Sequence, residues 1–419
     1  MSRAARLPHR ERHPPIMNVR RSAAVLAAVA VIGAATPAAA DPSPSPSQAF
    51  PSALYGDKDP KFDGVWRQSL ALLAQDTVGV RPAPKSVEWL ARQQCADGGF
   101  AAYRADPTAA CDAKTMLDTN ATSAAVQALA ALGGHDSVTG KAVGWLKSVQ
   151  NKDGGWGYAP GGASDTNSTS VVIGALTAVG EKPEQVEKDG RSPYDALLKL
   201  SLGCDGDGAG AFAFQPDKKG ELAANADATA AGVLGSLGKG MVVKPGKKSG
   251  PACAKPGTPE QAASNGAGYL VSALTKDDGH LTSALAGSDP QPDYGNTADA
   301  VVALAARGET AQAGKSLRWL EKNSATWAAQ SGPAAYAQLI FAAHATGANP
   351  RDFGGADLVK QLNATGPAPR TTAKAETAEE KSDSGSDFFG VWWYVGVCLV
   401  AGAGIGFLFS GGRRKKQQP

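Results

Sequence analysis

Residues 118–133 read DTNATSAAVQALAALG, and residues 165–180 repeat the pattern as DTNSTSVVIGALTAVG. In both stretches the aspartate can cap a helix, small and apolar residues fill about three and a half turns, and the glycine can end the helix with a positive φ. Looser copies of the pattern end at Gly79, Gly238, Gly308 and Gly347. The sequence therefore predicts six such helices, which we call the cassette helices.

A second helix type alternates with the cassette helices. Its clearest copies are SVEWLARQQCADGGF at 86–100 and AVGWLKSVQNKDGGW at 142–156. A Trp-Leu pair among apolar neighbours at helical spacing is typical of a stripe that faces the core. The sequence predicts these Trp-type helices at about 84–95, 137–150, 192–203, 258–276, 310–322 and 354–364.

The alternation of the two types predicts an all-α fold of twelve helices in six hairpins. Repeats of this kind bury their apolar faces only against their neighbours. The cassette helices are almost free of charge beyond their first turn, so we expect them to be buried all round, whereas the Trp-type helices carry Lys, Arg and Glu. Six buried helices inside six amphipathic ones close most naturally as an (α/α)6 barrel, with an open solenoid as the alternative.

The N-terminus carries a segment typical of protein export. An apolar run from Ala23 to Ala35 follows two arginines and precedes a proline and three alanines. This pattern predicts a signal peptide over residues 1–40, and Met17 is an alternative translation start. A single membrane-spanning helix is the competing interpretation, but the run is shorter than the ~20 residues that such a helix needs.

The C-terminus carries a segment typical of a membrane anchor. Phe388 to Phe409 is an uncharged run of 22 residues, with Trp and Tyr near its start and the basic cluster 413–416 after its end. It predicts one transmembrane helix over residues 388–410 and a basic cytoplasmic tail over 411–419. We therefore expect a single-pass protein of the cell membrane with its bulk outside.

The domain boundaries follow from the composition of the remaining segments. Residues 41–61 begin as a Pro/Ser-rich spacer, and residues 365–387 lack apolar periodicity and predict a disordered stalk. The helical domain is therefore expected to span residues 62–364. Residues 41–412 hold 32 basic and 38 acidic side chains, and this acidic balance argues against a nucleic acid partner.

Four of the five cysteines fall in the exported part, because Cys398 lies in the predicted membrane span. An even number of cysteines in an exported domain favours disulfides over a metal site. Three pairings are open, and we predict Cys95–Cys111 and Cys204–Cys253 because each pair flanks a single loop. No metal site is expected, since no histidine of the domain lies near a Cys-x-x-Cys.

Loop lengths indicate which end of the barrel carries the function. Connections from a cassette helix to a Trp-type helix are short in several hairpins, as at 133–136, whereas connections back are long, as at 98–117 and 205–224. In a barrel of alternating helices all the long connections fall on one rim, where the cassette helices begin. Free amides at these helix starts would favour an anionic or acceptor-rich ligand.

Eleven side chains are expected at this rim, and they divide into caps and ligand-binding candidates. Asp118 and Asp165 are interpreted as helix caps. The candidates for ligand binding are Asn120, Asn167, Thr119, Thr166, Asn225, Asp227, Tyr294, Asn296 and Thr297. Asn120 and Asn167 lead this set because one cap needs only one residue. Capping and hydrogen bonds between helices are the alternative interpretation of the whole set.

The pattern WLxxxQxxDGG[FW] followed by a DTN-type helix resembles the repeats of terpenoid cyclases and protein prenyltransferase β subunits. Their α-α toroid is shared by cobalamin carriers of the transcobalamin type. The resemblance covers roughly residues 62–364 and is specific in the second and third hairpins. It implies a barrel with a central cavity that opens at one rim.

The chemistry that the resemblance implies is not complete in this sequence. No Asp-x-Asp-Asp box is present, since 205–208 reads DGDG, and no Asp, Cys and His set for zinc stands out. We therefore favour a non-catalytic toroid that captures a bulky small molecule, with a cobalamin-like corrinoid as the most concrete ligand and no cofactor. An enzyme acting on isoprenoids is the alternative. A surface scaffold for a membrane transporter or another protein is a third hypothesis.

Overall fold

The computed structural model describes residues 51–248, 253–283 and 290–370. The predicted signal peptide, most of the spacer and stalk, and the predicted membrane span Phe388–Phe409 lie outside these residues. Within the described ranges, no helix is long and apolar enough to cross a membrane.

The described chain is mostly helical. Its thirteen α-helices are α1 (Gly64–Thr77), α2 (Pro84–Arg92), α3 (Thr119–Leu132), α4 (Asp136–Ser148), α5 (Thr166–Ala178), α6 (Pro193–Leu200), α7 (Ala226–Ser236), α8 (Pro259–Lys276), α9 (Tyr294–Arg307), α10 (Thr310–Asn323), α11 (Ala325–Ser331), α12 (Pro333–Thr346) and α13 (Leu358–Ala364). Two short antiparallel pairs join them, β1 (Phe212–Ala213) with β2 (Ala224–Asn225) and β3 (Leu281–Ser283) with β4 (Gln291–Asp293). Neither strand pair was expected from the sequence, and neither was α11.

The six cassette helices form a closed inner ring. In chain order α1, α3, α5, α7, α9 and α12 each pack against the next, and α12 packs back against α1. The outer helices α2, α4, α6, α8 and α10 each contact the two inner helices on either side, and α13 contacts α12. This closure is the barrel arrangement and not the open solenoid, because in a solenoid the first and last inner helices would be apart.

The glycine that ends each cassette helix adopts a positive φ. All six, Gly79, Gly133, Gly180, Gly238, Gly308 and Gly347, have φ between 61° and 84°. At Gly133 and Gly180 a Cβ atom would meet nothing within 4 Å, so space does not exclude a side chain there. Glycine is favoured because L-residues with a Cβ are strained at positive φ.

The Asp-Gly-Gly turns lie against the start of the next outer helix. A Cβ on Gly98 would lie 2.2 Å from the carbonyl oxygen of Lys141 in α4, and one on Gly154 would lie 2.1 Å from that of Ser192, the residue before α6. Both glycines also have a positive φ. The motif therefore reflects a close backbone contact between successive hairpins.

A threonine in the first turns of four inner helices holds the chain that precedes it. The backbone N–H groups of Phe100 and Trp156 donate to the hydroxyls of Thr122 and Thr169 at 2.9 and 3.1 Å. The same contact joins Phe212 to Thr229 and Leu281 to Thr297, at 2.9 Å in both cases. This repeated bond fixes each buried ring or leucine under the start of its inner helix.

Both predicted disulfides are confirmed. Cys95 and Cys111 are bonded with their Cα atoms 5.7 Å apart, and Cys204 and Cys253 with theirs 5.9 Å apart. Both separations lie within the range of unstrained bridges. The first bridge closes the loop that leads into α3, and the second joins the chain after α6 to the chain before α8.

The packed domain extends beyond the predicted boundaries of 62–364. Tyr55 is fully buried, its hydroxyl donates to the carbonyl oxygen of Pro367 at 3.0 Å, and its N–H donates to Gln68 at 2.9 Å. Arg370 N–H donates to the carbonyl oxygen of Arg81 at 2.9 Å. The last part of the predicted spacer and the first part of the predicted stalk are therefore packed against the helices.

Candidate functional site

A cavity of about 250 Å³ lies inside the inner ring, and all six inner helices contribute to its wall. Its larger apolar side chains are Trp66, Leu70, Val171, Leu234, Val302 and Phe341. Its polar side chains are Asn120, Gln127, Asn167, Ser170, Asp227, Lys239, Asp299 and Gln338. Mostly apolar walls with a few convergent polar groups are typical of small-molecule sites.

The connection between α7 and α8 closes one end of the cavity. Met241 N–H donates to Gln127 Oε1 at 3.0 Å, and Gln127 Nε2 donates to the carbonyl oxygen of Val171 at 3.3 Å. A Cβ on Gly240 would lie 2.4 Å from Gln127 Oε1, and one on Gly174 would lie 2.8 Å from Gly240 Cα. This long connection lies at the ends of the inner helices, so the expectation that all long connections share the other rim does not hold here.

The two predicted caps are found at the starts of the inner helices α3 and α5. Asp118 Oδ1 accepts from Ala121 N–H at 2.9 Å, and Asp165 accepts from the N–H and the hydroxyl of Ser168 at 2.6 and 2.8 Å. Burial raises the pKa of both carboxyl groups, against the lowering effect of these bonds.

Three of the predicted rim residues come together on the cavity wall: Asn120, Asn167 and Asp227. Asn167 Nδ2 donates to Asp227 Oδ2 at 2.6 Å. The Oδ1 atoms of both asparagines are buried and have no hydrogen-bond partner among the described residues. A buried acceptor without a partner is unfavourable, so these two oxygens are available to a ligand.

Three other predicted residues do not line the cavity and lie within the loops and helix starts around it. Thr166 Oγ1 donates to the carbonyl oxygen of Ala213 at 2.6 Å, which ties α5 to the next loop. Asn225 accepts from Ala228 N–H at 2.8 Å and is therefore the cap of α7. Thr119 is buried and stands outside the cavity lining.

The remaining three candidates belong to the start of α9. The Tyr294 ring stacks on Trp319 and Trp327, with ring centroids 5.3 and 5.6 Å apart. Asn296 Nδ2 donates to Asp293, the cap of α9, at 2.8 Å. The Thr297 hydroxyl accepts a hydrogen bond from the backbone N–H of Leu281, in the chain before α9. None of the three lines the cavity.

Five polar residues of the cavity wall were missed by the sequence reasoning: Gln127, Ser170, Lys239, Asp299 and Gln338. Gln338 Nε2 donates to Asp299 Oδ2 at 3.1 Å. Burial raises the pKa of Asp299 to about 7, and the negative charges of Asp227 and Asp293 act in the same direction. Asp299 could have been found from the sequence, because it is a carboxylate in the second turn of a cassette helix whose surrounding residues are uncharged.

The electrostatics of the cavity oppose the expected preference for an anion. At the start of each of the helices α3, α5 and α9, a free backbone N–H already donates to the carboxylate of the capping aspartate: Asp118, Asp165 and Asp293. Asp227 and Asp299 add two further carboxyl groups to the wall. A full negative charge outweighs the roughly half charge of a helix start, so the wall favours hydrogen-bond donors and cations. In the described part of the chain, no three His, Cys, Asp or Glu residues are grouped to hold a metal ion.

Comparison with known proteins identifies the domain type. The family model of the prenyltransferase alpha-alpha toroid domain matches residues 66–202, about a third of the chain. This match confirms the resemblance to the toroid superfamily. A search of curated proteins finds no match.

The solved structures that align with this chain include an ent-copalyl diphosphate synthase from Streptomyces platensis, at 13% identity and a TM-score of 0.43. The alignment covers 68% of this chain and 50% of the synthase, so the chain spans about half the length of that protein. A protein from Actinoplanes aligns at 14% identity over 71% of this chain and 95% of its own, with a TM-score of 0.43. A sugar epimerase from a ruminal bacterium aligns at 15% identity over 63% and 78%, with a TM-score of 0.40.

Proposed function

Since residues 66–202 carry a toroid domain of the prenyltransferase type, we propose that this protein captures a small molecule in its central cavity and does not transform it. The observation that carries the proposal is the pair of buried acceptors, Asn120 Oδ1 and Asn167 Oδ1, which lie on the cavity wall and have no partner in the part of the chain that the structure describes. In the two DTN repeats the aspartate caps the helix, and Asn120 Oδ1 and Asn167 Oδ1 are left without a hydrogen bond among the described residues. A ligand that donates hydrogen bonds to both oxygens would satisfy them.

The size of the cavity limits how a corrinoid would bind. Drug-sized ligands occupy pockets of roughly 300–1,000 Å³, and the cavity of about 250 Å³ is smaller. A cobalamin-like corrinoid would therefore insert a side group and rest its body on the rim. It stays a candidate ligand beside smaller molecules that enter the cavity completely.

We further propose that the toroid is held outside the cell membrane by the run from Phe388 to Phe409, where a membrane transporter or another surface protein would receive its ligand. The proposal rests on the sequence pattern of that run and its basic flank. Protease added to intact cells is expected to remove the toroid and leave a short C-terminal fragment in the membrane. Protection of the toroid in intact cells, with digestion after lysis, would reverse this orientation.

The capture function is tested by the substitution Asn120→Ala. Asn120 has no side-chain hydrogen bond among the described residues, so its removal is expected to change the melting temperature by less than about 1 °C. We expect the variant to weaken any ligand found in a thermal-shift screen of corrinoids, prenyl diphosphates and small amines by at least five-fold. Asn167→Ala is a poorer probe, since it also removes the donor to Asp227.

The matched control for this test is Asn296→Ala. Asn296 is the same residue type at the start of another inner helix, but it does not line the cavity. The control is expected to leave ligand affinity unchanged. If Asn120→Ala melts like a core variant while ligand affinity stays at the wild-type value, the asparagine is a structural tie and the proposal fails.

A second candidate function is an enzyme acting on isoprenoids, and one observation favours it. Asp299 has a pKa of about 7 in a cavity with apolar walls, so a large fraction of the protein carries a neutral carboxylic acid there at neutral pH. A group with this pKa can serve as a general acid. The walls formed by Trp66 and Phe341 suit a hydrocarbon chain.

A further inference from the structure

Three buried oxygens on the cavity wall have no hydrogen-bond partner among the described residues. Asn120 Oδ1 and Asn167 Oδ1 can only accept hydrogen bonds. Ser170 Oγ also lines the cavity without a partner in the described residues, and Ser170 is 5% exposed. A ligand that satisfies the two asparagine oxygens must therefore bring hydrogen-bond donors, whereas the Ser170 hydroxyl can either donate or accept.

Three of the four side-chain amide nitrogens on the same wall are already used within the protein. Asn167 Nδ2 donates to Asp227, Gln338 Nε2 donates to Asp299, and Gln127 Nε2 donates to the carbonyl oxygen of Val171. Each of the two carboxyl groups has accepted one bond from these amides and retains further acceptor capacity. Among the described residues Asn120 Nδ2 is the amide donor of the wall that makes no bond within the protein, so the wall has more open acceptors than open amide donors.

The charges around Asp299 favour a cation over an anion. Asp227 faces it from α7 and Asp293 from the start of its own helix, while the uncharged Gln338 faces it from α12. Lys239 is the cationic side chain in the cavity lining, and it belongs to the segment that closes the far end. A bound cation would relieve the repulsion between the carboxylates.

The geometry of the carboxyl groups and the remaining walls favours an organic cation. Among the described residues no cluster of three acidic, His or Cys side chains could hold a metal ion. The rings of Trp66 and Phe341 offer apolar area and aromatic faces, to which ammonium groups are attracted. A volume of about 250 Å³ restricts the occupant to a small molecule.

We infer, on the basis of the proposed capture function, that the ligand of this cavity is a small organic ammonium ion, a primary amine that carries one apolar ring or chain. Its three N–H groups donate to acceptors drawn from the two asparagine oxygens and the carboxylates of Asp227 and Asp299. Its apolar part packs against Trp66 and Phe341. This assignment accounts for the open acceptors, the charge and the apolar walls together.

Binding of such an ion is coupled to the protonation of Asp299. The carboxyl group is neutral well below pH 7 and becomes an anion above it. The affinity for an ammonium ion therefore rises with pH through about 7, and binding releases a proton from the fraction of protein in which Asp299 is protonated. The ligand itself stays charged in this range, because amines of this type resemble the lysine side chain, with a pKa of about 10.

The test uses three probes with the same skeleton: 2-phenylethylammonium, 2-phenylethanol and phenylacetate, with hexylammonium as a second amine. Calorimetric titration of the intact protein at pH 8 and pH 5.5 measures each affinity. We expect the ammonium probes to bind at pH 8 at least ten-fold more tightly than the alcohol or the carboxylate, and at least five-fold more tightly than at pH 5.5. Asp299→Asn should weaken ammonium binding at pH 8 by at least five-fold and remove its dependence on pH. Asp189→Asn, at an exposed aspartate outside the cavity, is the control and should change nothing.

The outcomes separate this inference from the capture function on which it rests. Equal or tighter binding of the alcohol or the carboxylate overturns the ammonium assignment, and so does the absence of binding by both amines. Binding of Ca²⁺ or Mg²⁺ that Asp299→Asn abolishes, without amine binding, also overturns it. If the amines fail while another ligand binds in an Asn120-dependent way, the capture function stands and only the ligand class is wrong.

Discussion

Replacing Asp299 by asparagine is expected to raise the free energy of unfolding at pH 8 by up to ~4 kcal/mol and to leave it nearly unchanged at pH 4. Burial raises the pKa of this carboxyl group to about 7, from about 3.9 in an unfolded chain. A shift of roughly three units corresponds to ~4 kcal/mol, which is an upper bound because the side chain faces a cavity that admits water. Urea unfolding of both proteins between pH 4 and pH 8 measures the effect.

The sign of this effect follows from the direction of the shift. A carboxyl group whose pKa is raised on folding contributes stability that is fully present below the unfolded pKa and is lost as the pH rises through about 7. Asparagine keeps an oxygen that accepts from Gln338 and carries no charge, so the variant should lose this part of the pH dependence. The exposed control Asp189→Asn should change stability by less than ~0.5 kcal/mol at any pH. A variant whose stability runs parallel to wild type over the whole range would mean that Asp299 is not desolvated.

The Asp299→Asn variant also tests the second candidate function, an enzyme that acts on isoprenoids. If the protein protonates isoprenoids, the wild type should convert prenyl diphosphates with a rate that falls as the pH rises above 7, and Asp299→Asn should abolish the conversion. A protein that binds amines and shows no turnover fits the capture function. Turnover that survives Asp299→Asn would exclude Asp299 as the acid.

Replacing Trp156 by alanine is expected to lower the free energy of unfolding by ~4 kcal/mol, within the 3–5 kcal/mol typical of buried Trp-to-Ala changes. Trp156 is 1% exposed and lies among the largest buried side chains. Its Nε1–H donates to the carbonyl oxygen of Leu146 at 2.7 Å, and the variant leaves that buried acceptor without a donor. Urea denaturation at neutral pH measures the loss.

The control for this prediction is Phe62→Ala. Phe62 is 85% exposed, so removal of its ring should change stability by less than ~0.5 kcal/mol. Thr169→Val is an intermediate case, because it keeps the ring and removes the hydroxyl that accepts from Trp156 N–H and donates to the Trp156 carbonyl oxygen. We expect it to lower stability by ~1–3 kcal/mol. A Trp156→Ala variant as stable as the Phe62→Ala control would show that the ring is not part of the core that holds the hairpins together.

The sequence by itself determined twelve of the thirteen described α-helices, their order and the glycine ends of the inner ones. The apolar pattern of each cassette lies within one helix, and its aspartate and final glycine act on their own first and last turns. Asp118, Asp165 and the six terminal glycines therefore occupy the positions that local chemistry assigns to them. The disulfide pairs could also be predicted from the sequence, since each pair encloses one stretch of chain that contains no other cysteine.

Only the tertiary structure decided which polar groups meet across the ring. The hydrogen bond from Met241 to Gln127 joins residues 114 positions apart. It holds the connection between α7 and α8 across one end of the cavity, and the composition of that connection does not predict this position. Asp227 and Asp299 lie on neighbouring inner helices, and the repulsion between them depends on which faces of α7 and α9 turn inward. Helical periodicity indicates that a face is buried, but a fully buried helix has no polar face to mark its orientation. For this reason the cavity wall depends on the packing of all six inner helices and cannot be assigned from any one of them.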